Sequence, residues 1–411
     1  MARILFIQRI TGESVIQWMT DISFIQWMTG ELVIQWMTDI SFIQWMTGEL
    51  VIQWMTDISF IQWMTRELDI HWMTNTGHPM DDLDDRCRSH PVDDLPLEFG
   101  MQPTGTMNQD PIGLPPPSQF RHFRAQNVNA FRFPISWQRM QPNIMEELDS
   151  EYLGLLSKYV ERAVASNASV IIDLHNYARR DGKVIGEAEE LPRDSLVDFW
   201  LRLAKEFKGF SEEVAFGIMN EPYDVKQEVW FGTLQAVVTA IRNSGATNRI
   251  LLPAENWSHL ESFSTSYHAG MSQILNPDGS CTGLIFEIHE YFDSNGSGTS
   301  SDCPVPRTKE LGELITLLEK DNRQAVITEF GGGNNLACAS VLEQFVQTAH
   351  NSFPHILGYF IWGAGAFDKN YNLVVTILQE GRWIDQSNFM AIKKFYDAGH
   401  QSNPIKLDGG R

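Results

Sequence analysis

The sequence predicts an α/β fold in which eight parallel strands close into a (β/α)8 TIM barrel, preceded by an atypical repetitive extension. Two observations predict the barrel. Seven apolar runs alternate with segments of helical periodicity along residues 128–365, and each run ends in polar or charged residues. Strands that alternate with helices run parallel and are buried on both faces, and this many units fit a closed barrel better than an open sheet. No glycine-rich phosphate loop follows the first run, which argues against a nucleotide-binding sheet.

The predicted strands are rich in β-branched and aromatic residues. They are VNAFRFPI (128–135), SVIIDLHNY (169–177), VAFGIMNEP (214–222), RILLPAENW (249–257), LIFEIHEY (284–291), AVITEFGGG (325–333) and GYFIWGAG (358–365). Apolar residues at 3.6-residue spacing predict helices at 151–166 and 229–245. The first strand of the barrel has one candidate, VDDLPLEFG (92–100), whose two Asp and one Pro disfavour a strand.

The extension consists of seven Trp-Met-Thr tripeptides, nine residues apart, within residues 1–77. A nine-residue step places successive copies on opposite faces of a helix or a strand, so no single apolar stripe results. No apolar run reaches the ~20 residues of a membrane span. We expect an appended segment without a catalytic part, with membrane-surface binding or self-association as the alternative. Residues 78–96 are expected to form an acidic, Pro-containing linker, 97–400 the barrel, and 401–411 a tail.

The charge balance limits the partners. The formal net charge is −21, from 52 acidic and 31 basic residues. Nucleic acid is excluded as an expected partner because phosphate binding needs basic patches, whereas a neutral polysaccharide is compatible with an acidic surface. The four cysteines show no CxxC spacing, which argues against a zinc site. Counting alone does not place a disulfide among them.

Candidate functional residues follow from the fold, because reactive groups in such a barrel gather at the C-terminal ends of the strands. The runs end in a set of polar and aromatic residues: Arg132, His175, Asn220, Glu221, Trp257, His289, Tyr291, Glu329 and Trp362. Each alone has a structural explanation, such as a capping arginine, a hydrogen-bonded core histidine or a core tryptophan. Their convergence at seven strand ends favours one common site.

Two glutamates on different strands suit glycosidic hydrolysis, in which one carboxylic acid protonates the leaving oxygen and one carboxylate faces the anomeric carbon. Arg132 and Tyr291 could keep one carboxylate ionised through charge-assisted hydrogen bonds. Asn220 could bond a sugar 2-hydroxyl. Trp257 and Trp362 offer flat apolar faces on which pyranose rings can stack.

The motifs FRFPISW, IIDLHNYAR, FGIMNEPYDV, IFEIHEYFDSNGSGT, VITEFGGGN and GYFIWGAGAFD resemble the successive motifs of glycoside hydrolase family 5, and most of all its fungal secreted endo-β-1,4-glucanases. The resemblance runs from about Leu97 to about Ala398. It implies that Glu221, in Asn-Glu-Pro, is the general acid/base and that Glu329 is the nucleophile. The other strand-end residues fill the family's remaining active-site positions, with Trp257 and Trp383 as substrate-contacting residues.

The resemblance also implies that no cofactor is needed and that the protein is extracellular, although the chain shows no convincing signal peptide. We expect a monomer that acts on a β-glucan. In an exported protein a bridge between Cys303 and Cys338 would tie two loops of the catalytic face together; two free buried thiols are the alternative. The chain departs from the family at the first strand, where HPVDDLPLE replaces a Gly-Val-Asn-like motif, and in its repeats.

The main hypothesis is therefore an endo-acting, retaining hydrolase of cellulose. A hydrolase of the same family acting on mannan, xyloglucan or mixed-linkage glucan is the first alternative, since only the sugar-contacting residues would differ. An inactive carbohydrate-binding or self-associating protein is the second, and the presence of both glutamates argues against it.

Overall fold

The computed structural model describes residues 117–365 and 370–397, the strand Gly100–Thr104 and seven short strands between Ile10 and Ile70. The chain divides into two compact units, Met1–Leu83 and Asp84–Arg411. The predicted linker at 78–96 and the predicted tail at 401–411 lie outside the described residues. No helix of the described residues is long and apolar enough to cross a membrane.

The described strands of the first unit repeat every 18 residues. They are β1 (Ile10–Thr11), β2 (Ser14–Ile16), β3 (Met28–Thr29), β4 (Leu32–Ile34), β5 (Met46–Thr47), β6 (Leu50–Ile52) and β7 (Leu68–Ile70). Strands β1, β3 and β5 form one parallel sheet, and β2, β4, β6 and β7 form another. Leu32 lies opposite Leu50, and Leu50 opposite Leu68, so equivalent residues of successive 18-residue repeats are paired. Pairing of these described strands therefore follows an 18-residue period, which is twice the nine-residue period of the sequence.

The second unit contains twelve described strands. They are β8 (Gly100–Thr104), β9 (Ala130–Ile135), β10 (Ser169–Leu174), β11 (Arg179–Arg180), β12 (Lys183–Val184), β13 (Val214–Gly217), β14 (Ile250–Pro253), β15 (Leu284–Tyr291), β16 (Ala325–Gly331), β17 (Ile356–Gly365), β18 (Thr376–Gln379) and β19 (Arg382–Asp385). Eight of them close into a barrel in the order β10-β13-β14-β15-β16-β17-β8-β9, with parallel pairing throughout. The predicted barrel is confirmed. Strands β11–β12 and β18–β19 are antiparallel hairpins.

The first barrel strand is not where the sequence placed it. The candidate window 92–100 shares only Gly100 with β8, which spans Gly100–Thr104 and joins β17 to β9. Its sequence, GMQPT, has no continuous apolar run and contains Pro103, a residue that removes a ladder donor. Barrel closure between two strongly apolar neighbours, rather than local propensity, accounts for this strand.

Ten α-helices are described in the second unit. They are α1 (Pro117–Arg124), α2 (Trp137–Met140), α3 (Ser150–Ala165), α4 (Arg193–Phe207), α5 (Gln227–Asn243), α6 (Leu260–Ser262), α7 (His268–Met271), α8 (Thr308–Asp321), α9 (Leu336–His350) and α10 (Ser387–Asp397). Asp149 caps α3 by accepting from the backbone N–H of Tyr152 at 2.7 Å, and the helix then follows the predicted apolar stripe. A 3₁₀ turn (Lys208–Phe210) and a π turn (Phe263–Tyr267) complete the helical set.

The barrel interior is layered along its axis. Its apolar floor takes at least one buried residue from each of seven strands: Ala130, Ile171, Ala215, Leu251, Ile285, Val326, and Leu357 with Phe360. Side chains two positions further along a strand share the same face. Arg132, Asp173 and Glu287 therefore lie directly above this floor, toward the C-terminal ends of the strands, and all three are buried. The fold thus places a charged layer beneath the strand-end residues.

Candidate active site

The buried guanidinium of Arg132 is the centre of the charged layer. Its Nη1 donates to Glu329 Oε1 at 2.7 Å, and its Nη2 donates to Asn220 Oδ1 at 2.7 Å. Nη2 also lies 2.9 Å from Asp173 Oδ1 and 3.3 Å from Glu287 Oε1. Burial disfavours the charge, but three carboxylates outweigh it and raise the pKa of Arg132 above its ordinary value. Arg132 is consequently a permanent cation that orients two strand-end residues.

An irregularity in strand pairing brings Glu329 into the site. Ile288 pairs with Ile327, but His289 pairs with Glu329, so Thr328 is an extra residue on β16. Such a bulge re-aims the side chain that follows it. Both Thr328 and Glu329 consequently contact His289, at 2.9 Å through Thr328 Oγ1 and at 3.6 Å through Glu329 Oε2.

Glu329 is held as a carboxylate. Tyr291 donates its hydroxyl to Glu329 Oε2 at 2.7 Å, and Arg132 holds the other oxygen. Burial alone would raise the pKa of Glu329, but the positive charges of His289, Arg132 and His175 and the hydrogen bond from Tyr291 lower it to about 2. For Tyr291, burial and the charge of Glu329 raise the pKa well above its ordinary value, so its hydroxyl keeps its proton.

Glu221 occupies a different environment, after the end of β13. Its side chain is 18% exposed, compared with 5% for Glu329, and Oε1 lies 2.9 Å from His289 Nδ1. Its backbone is left-handed, with φ 42°. One oxygen of Glu221, one nitrogen of His289 and one oxygen of Glu329 all lie within 4.8 Å of one another. The two glutamates therefore face the same small volume.

Hydrogen-bond directions along a buried chain determine how His289 is protonated. Thr328 donates its hydroxyl to Glu287 Oε1 at 2.7 Å, so Thr328 Oγ1 accepts at 2.9 Å from His289 Nε2–H. This leaves Nδ1 to share a proton with Glu221. Burial lowers the pKa of His289, but Glu329, Glu221 and Glu287 together raise it to about 10. His289 consequently carries a proton on both ring nitrogens at neutral pH, and its Nδ1–H faces Glu221 Oε1.

His175 and Trp362 form a second, partly aromatic part of the site. Asp173 Oδ2 lies 2.7 Å from His175 Nδ1, which fixes the ring. The His175 ring stacks on Trp362 with centroids 5.9 Å apart and an interplanar angle of 12°. Trp362 donates its indole N–H to the hydroxyl of Tyr371 at 2.8 Å. Burial raises the pKa of Tyr371 to about 12.

The two remaining predicted residues lie apart from this cluster. Trp257, in the loop after β14, is 42% exposed and stacks on Tyr223. Its backbone N–H donates to the carbonyl of Pro222, the residue after Glu221, at 2.9 Å. Trp383 lies on the β18–β19 hairpin and donates its indole N–H to Ser118 Oγ at 3.3 Å, so its described contacts are with α1.

Cys303 and Cys338 are joined by a disulfide with a Cα–Cα distance of 5.1 Å. The bond connects the loop after β15 to the start of α9. In the same loop Asp293 accepts from the backbone N–H groups of Gly298, Thr299 and Ser300. A Cβ atom on Gly298 would lie 2.7 Å from the ring of Tyr291, so this glycine allows the loop to pack directly on that ring.

Several residues of the site were not singled out from the sequence: Asp173, Glu287, Thr328 and Tyr371. Asp173 and Glu287 each precede a strand-end histidine by two residues within an apolar run. A carboxylate in the middle of a strand buried on both faces is unusual, and this signal could have identified both.

The chain is similar to several known proteins. The family model described as Cellulase (glycosyl hydrolase family 5) matches residues 101–366. The chain is 39% identical over 280 residues to "Manganese dependent endoglucanase Eg5A" of Phanerodontia chrysosporium, covering 66% of this chain and 72% of that protein. It is 39% identical over 290 residues to "Endoglucanase EG-II" of Hypocrea jecorina, covering 69% and 68%. The structure of XacCel5A in complex with cellopentaose superposes with a TM-score of 0.68 at 31% identity, covering 73% of this chain and 99% of that one.

Proposed function

Because the chain belongs to glycosyl hydrolase family 5, we propose that it is an endo-acting β-1,4-glucanase that hydrolyses cellulose with retention of configuration. The observation that carries the proposal is the pair of glutamates. Their nearest oxygens lie within 4.8 Å, and only Glu329 is both buried and held by a permanent cation. Retaining enzymes place their carboxyl groups about 5–5.5 Å apart and inverting enzymes ~6.5–9.5 Å apart, so the short separation favours retention.

In the first step Glu329 is the nucleophile. Its lowered pKa keeps it ionised, and Arg132 and Tyr291 hold its two oxygens in fixed positions. An oxygen of Glu329 forms a bond to the anomeric carbon while the bond from that carbon to the glycosidic oxygen breaks. The product is a covalent glycosyl–enzyme ester.

Glu221 is the acid and then the base. The proton shared with His289 Nδ1 passes through Glu221 to the departing glycosidic oxygen. In the second step Glu221 accepts a proton from water, the water oxygen attacks the anomeric carbon, and Glu329 leaves as a carboxylate. Glu287 and Thr328 support both steps, because their hydrogen bonds fix Nε2–H of His289 and so leave Nδ1 facing Glu221.

Polar and aromatic groups around the carboxylates are proposed to contact the sugar. Asn220 Oδ1 is held by Arg132, while its Nδ2 has no hydrogen-bond partner among the described residues and is proposed to donate to a sugar 2-hydroxyl. Trp362, stacked on His175, and Trp257, stacked on Tyr223, are proposed as faces on which sugar rings stack. Trp383, held against α1, is proposed as a more distant contact.

The relatives support the proposed substrate class, because two are described as endoglucanases and one solved structure is described as a complex with cellopentaose. Export is proposed because the Cys303–Cys338 disulfide persists only in an oxidising compartment. A monomer is proposed because one chain supplies every residue of the site described above.

A resident manganese ion, suggested by the description of one relative, does not fit these residues. Among the described residues, one group could bring three ligand atoms together: Glu221, His289 and Glu329. A cation there would have to displace the proton of His289 Nδ1 and lie next to Arg132, which already neutralises Glu329. No step of the proposed reaction therefore uses a metal.

The test compares two variants and one product. Glu329→Gln should abolish turnover because no ester can form. Glu221→Ala should be slow on cellulose, yet azide should restore turnover of 2,4-dinitrophenyl β-cellobioside and give the β-azide, because this leaving group needs no acid. Comparison of carboxymethyl-cellulose, glucomannan and xyloglucan identifies the polysaccharide. Detection of the α-anomer as the first product by NMR would refute the retaining mechanism.

A further inference from the structure

We propose that Arg179 and Tyr223 are positioning residues that hold Trp257 as a rigid sugar-stacking surface on the leaving-group side of the cleft. The inference rests on the proposed function and goes beyond it, because neither residue touches the reacting atoms. Its basis is a three-layer arrangement, termed here the Arg179–Tyr223–Trp257 stack.

The stack has close and regular geometry. The rings of Tyr223 and Trp257 are nearly parallel, at 7°, with centroids 5.3 Å apart. The guanidinium carbon of Arg179 lies 3.6 Å from the centroid of the Tyr223 ring. A guanidinium this close to a ring is attracted by the ring's quadrupole. Tyr223 is consequently held by a cation and an indole, and the 42%-exposed Trp257 retains surface for a ligand.

Hydrogen bonds to backbone carbonyls join the three segments that supply the stack. Arg179 Nη1 donates to the carbonyls of Tyr177, at 3.0 Å, and of Tyr223. The N–H of Trp257 donates to the carbonyl of Pro222. Arg179 therefore connects the loop after β10 to the loop after β13, and Trp257 connects the latter to the loop after β14.

The backbone at both ends of the stack is left-handed. Tyr177 and Ala178 have φ of 56° and 55°, and Asn256, Trp257 and Ser258 have φ of 62°, 58° and 58°. Non-glycine residues adopt this conformation at a cost, and runs of them persist only where the surroundings impose it. The guanidinium hydrogen bonds and the ring stacking supply that constraint.

The position of the stack indicates which part of the substrate it serves. The backbone N–H of Trp257 donates to the carbonyl of Pro222, the residue directly after Glu221, whereas Glu329 is held by Arg132 and Tyr291. Glu221 protonates the oxygen of the departing sugar, so a ring bound beyond Glu221 belongs to the leaving group. The stack should therefore affect substrates that have a sugar on this side and spare those that have none.

The experiment compares cellopentaose with β-cellobiosyl fluoride, whose leaving group is a single atom. The variants are Tyr223→Ala, Arg179→Met, which keeps an apolar stem, and Tyr223→Phe, which keeps the ring. Tyr223→Ala should raise KM for cellopentaose about threefold to tenfold, the range expected for loss of an aromatic pair, with a smaller change in kcat. Arg179→Met should raise it about two- to fivefold. Tyr223→Phe should keep the parent KM for cellopentaose. All three variants should hydrolyse the fluoride with the parent kcat/KM.

Each contrary outcome has a distinct meaning. Unchanged cellopentaose kinetics in Tyr223→Ala and Arg179→Met would overturn the inference. Equal losses on both substrates in both variants would also overturn it, since they would show a general structural role. A parent protein that hydrolyses neither substrate would instead refute the proposed function, and with it this inference.

Discussion

Removing the Tyr291 hydroxyl should raise the pH at which Glu329 protonates. In the folded protein this hydroxyl donates to Glu329 Oε2 at 2.7 Å, and it is buried. A hydrogen bond to a charged group contributes about 1.5–3 kcal/mol, and one pKa unit corresponds to about 1.4 kcal/mol. Tyr291→Phe should therefore raise the pKa of Glu329 by about one to two units.

The direction follows from the sign of the shift. The ordinary pKa of a glutamate is 4.5, and the pKa of Glu329 is lowered to about 2. Its carboxylate therefore stays ionised as the pH falls from 4.5 toward 2. If the pKa of Glu329 is lowered less, the carboxylate becomes protonated at a higher pH. The nucleophile is then lost at that higher pH. If the pKa rises to about 4, the ionised fraction at pH 3 falls from about nine-tenths to about one-tenth.

The assay is the pH dependence of kcat/KM for 2,4-dinitrophenyl β-cellobioside, which reports groups of the free enzyme. The acid limb of Tyr291→Phe should lie about one to two pH units above that of the parent. Tyr152→Phe is the matched control, because it also removes a buried hydroxyl but one that lies near Ser136 and does not contact Glu329. An acid limb of Tyr291→Phe that coincides with the parent's would refute the role given to Tyr291.

Four further predictions concern other parts of the molecule. Thr328→Val should lower kcat by about tenfold or more, because His289 Nε2–H and Glu287 lose the hydroxyl between them; stopped-flow and steady-state kinetics on cellopentaose check this. Deleting residues 1–83, which removes none of the four cysteines, should leave kcat/KM unchanged. A truncated protein that folds but is inactive would show that the repeats belong to the site. Cys303→Ser with Cys338→Ser should lower the free energy of unfolding by about 3–4 kcal/mol for the 35-residue separation, measured by urea denaturation. EDTA treatment followed by dialysis should leave hydrolysis intact, and a loss reversed by Mn²⁺ would contradict the fit argued above.

The parts of the fold that sequence could predict are those determined by local pattern. Strand β15 is rich in apolar and aromatic residues, and α3 has a capping Asp149 and an apolar stripe. Both lie within two residues of their predicted bounds. Strand β8 could not be found in this way. Gln102 and Pro103 give it no strand pattern, and its position depends on closure of the barrel.

The candidate site shows the same division. Strand-end residues such as His289 could be named because a strand places its last side chain at a known edge. The extra residue Thr328 could not, because a bulge arises from the pairing of two strands and leaves no mark on either sequence. Tyr223 lies on a loop and Arg179 on the short strand β11, each next to a residue with left-handed backbone, and neither residue type nor spacing predicts their stacking.

The left-handed backbone of Glu221 affects how this protein would respond to engineering. At φ 42° a glycine, and to a lesser degree an asparagine, has a lower conformational energy than a glutamate. Variants chosen only for resistance to heat would therefore accumulate Gly or Asn at this position and lose the acid that hydrolysis requires. A stability campaign on this chain consequently needs an activity screen in every round, because its thermodynamic optimum at one residue is a catalytically dead protein.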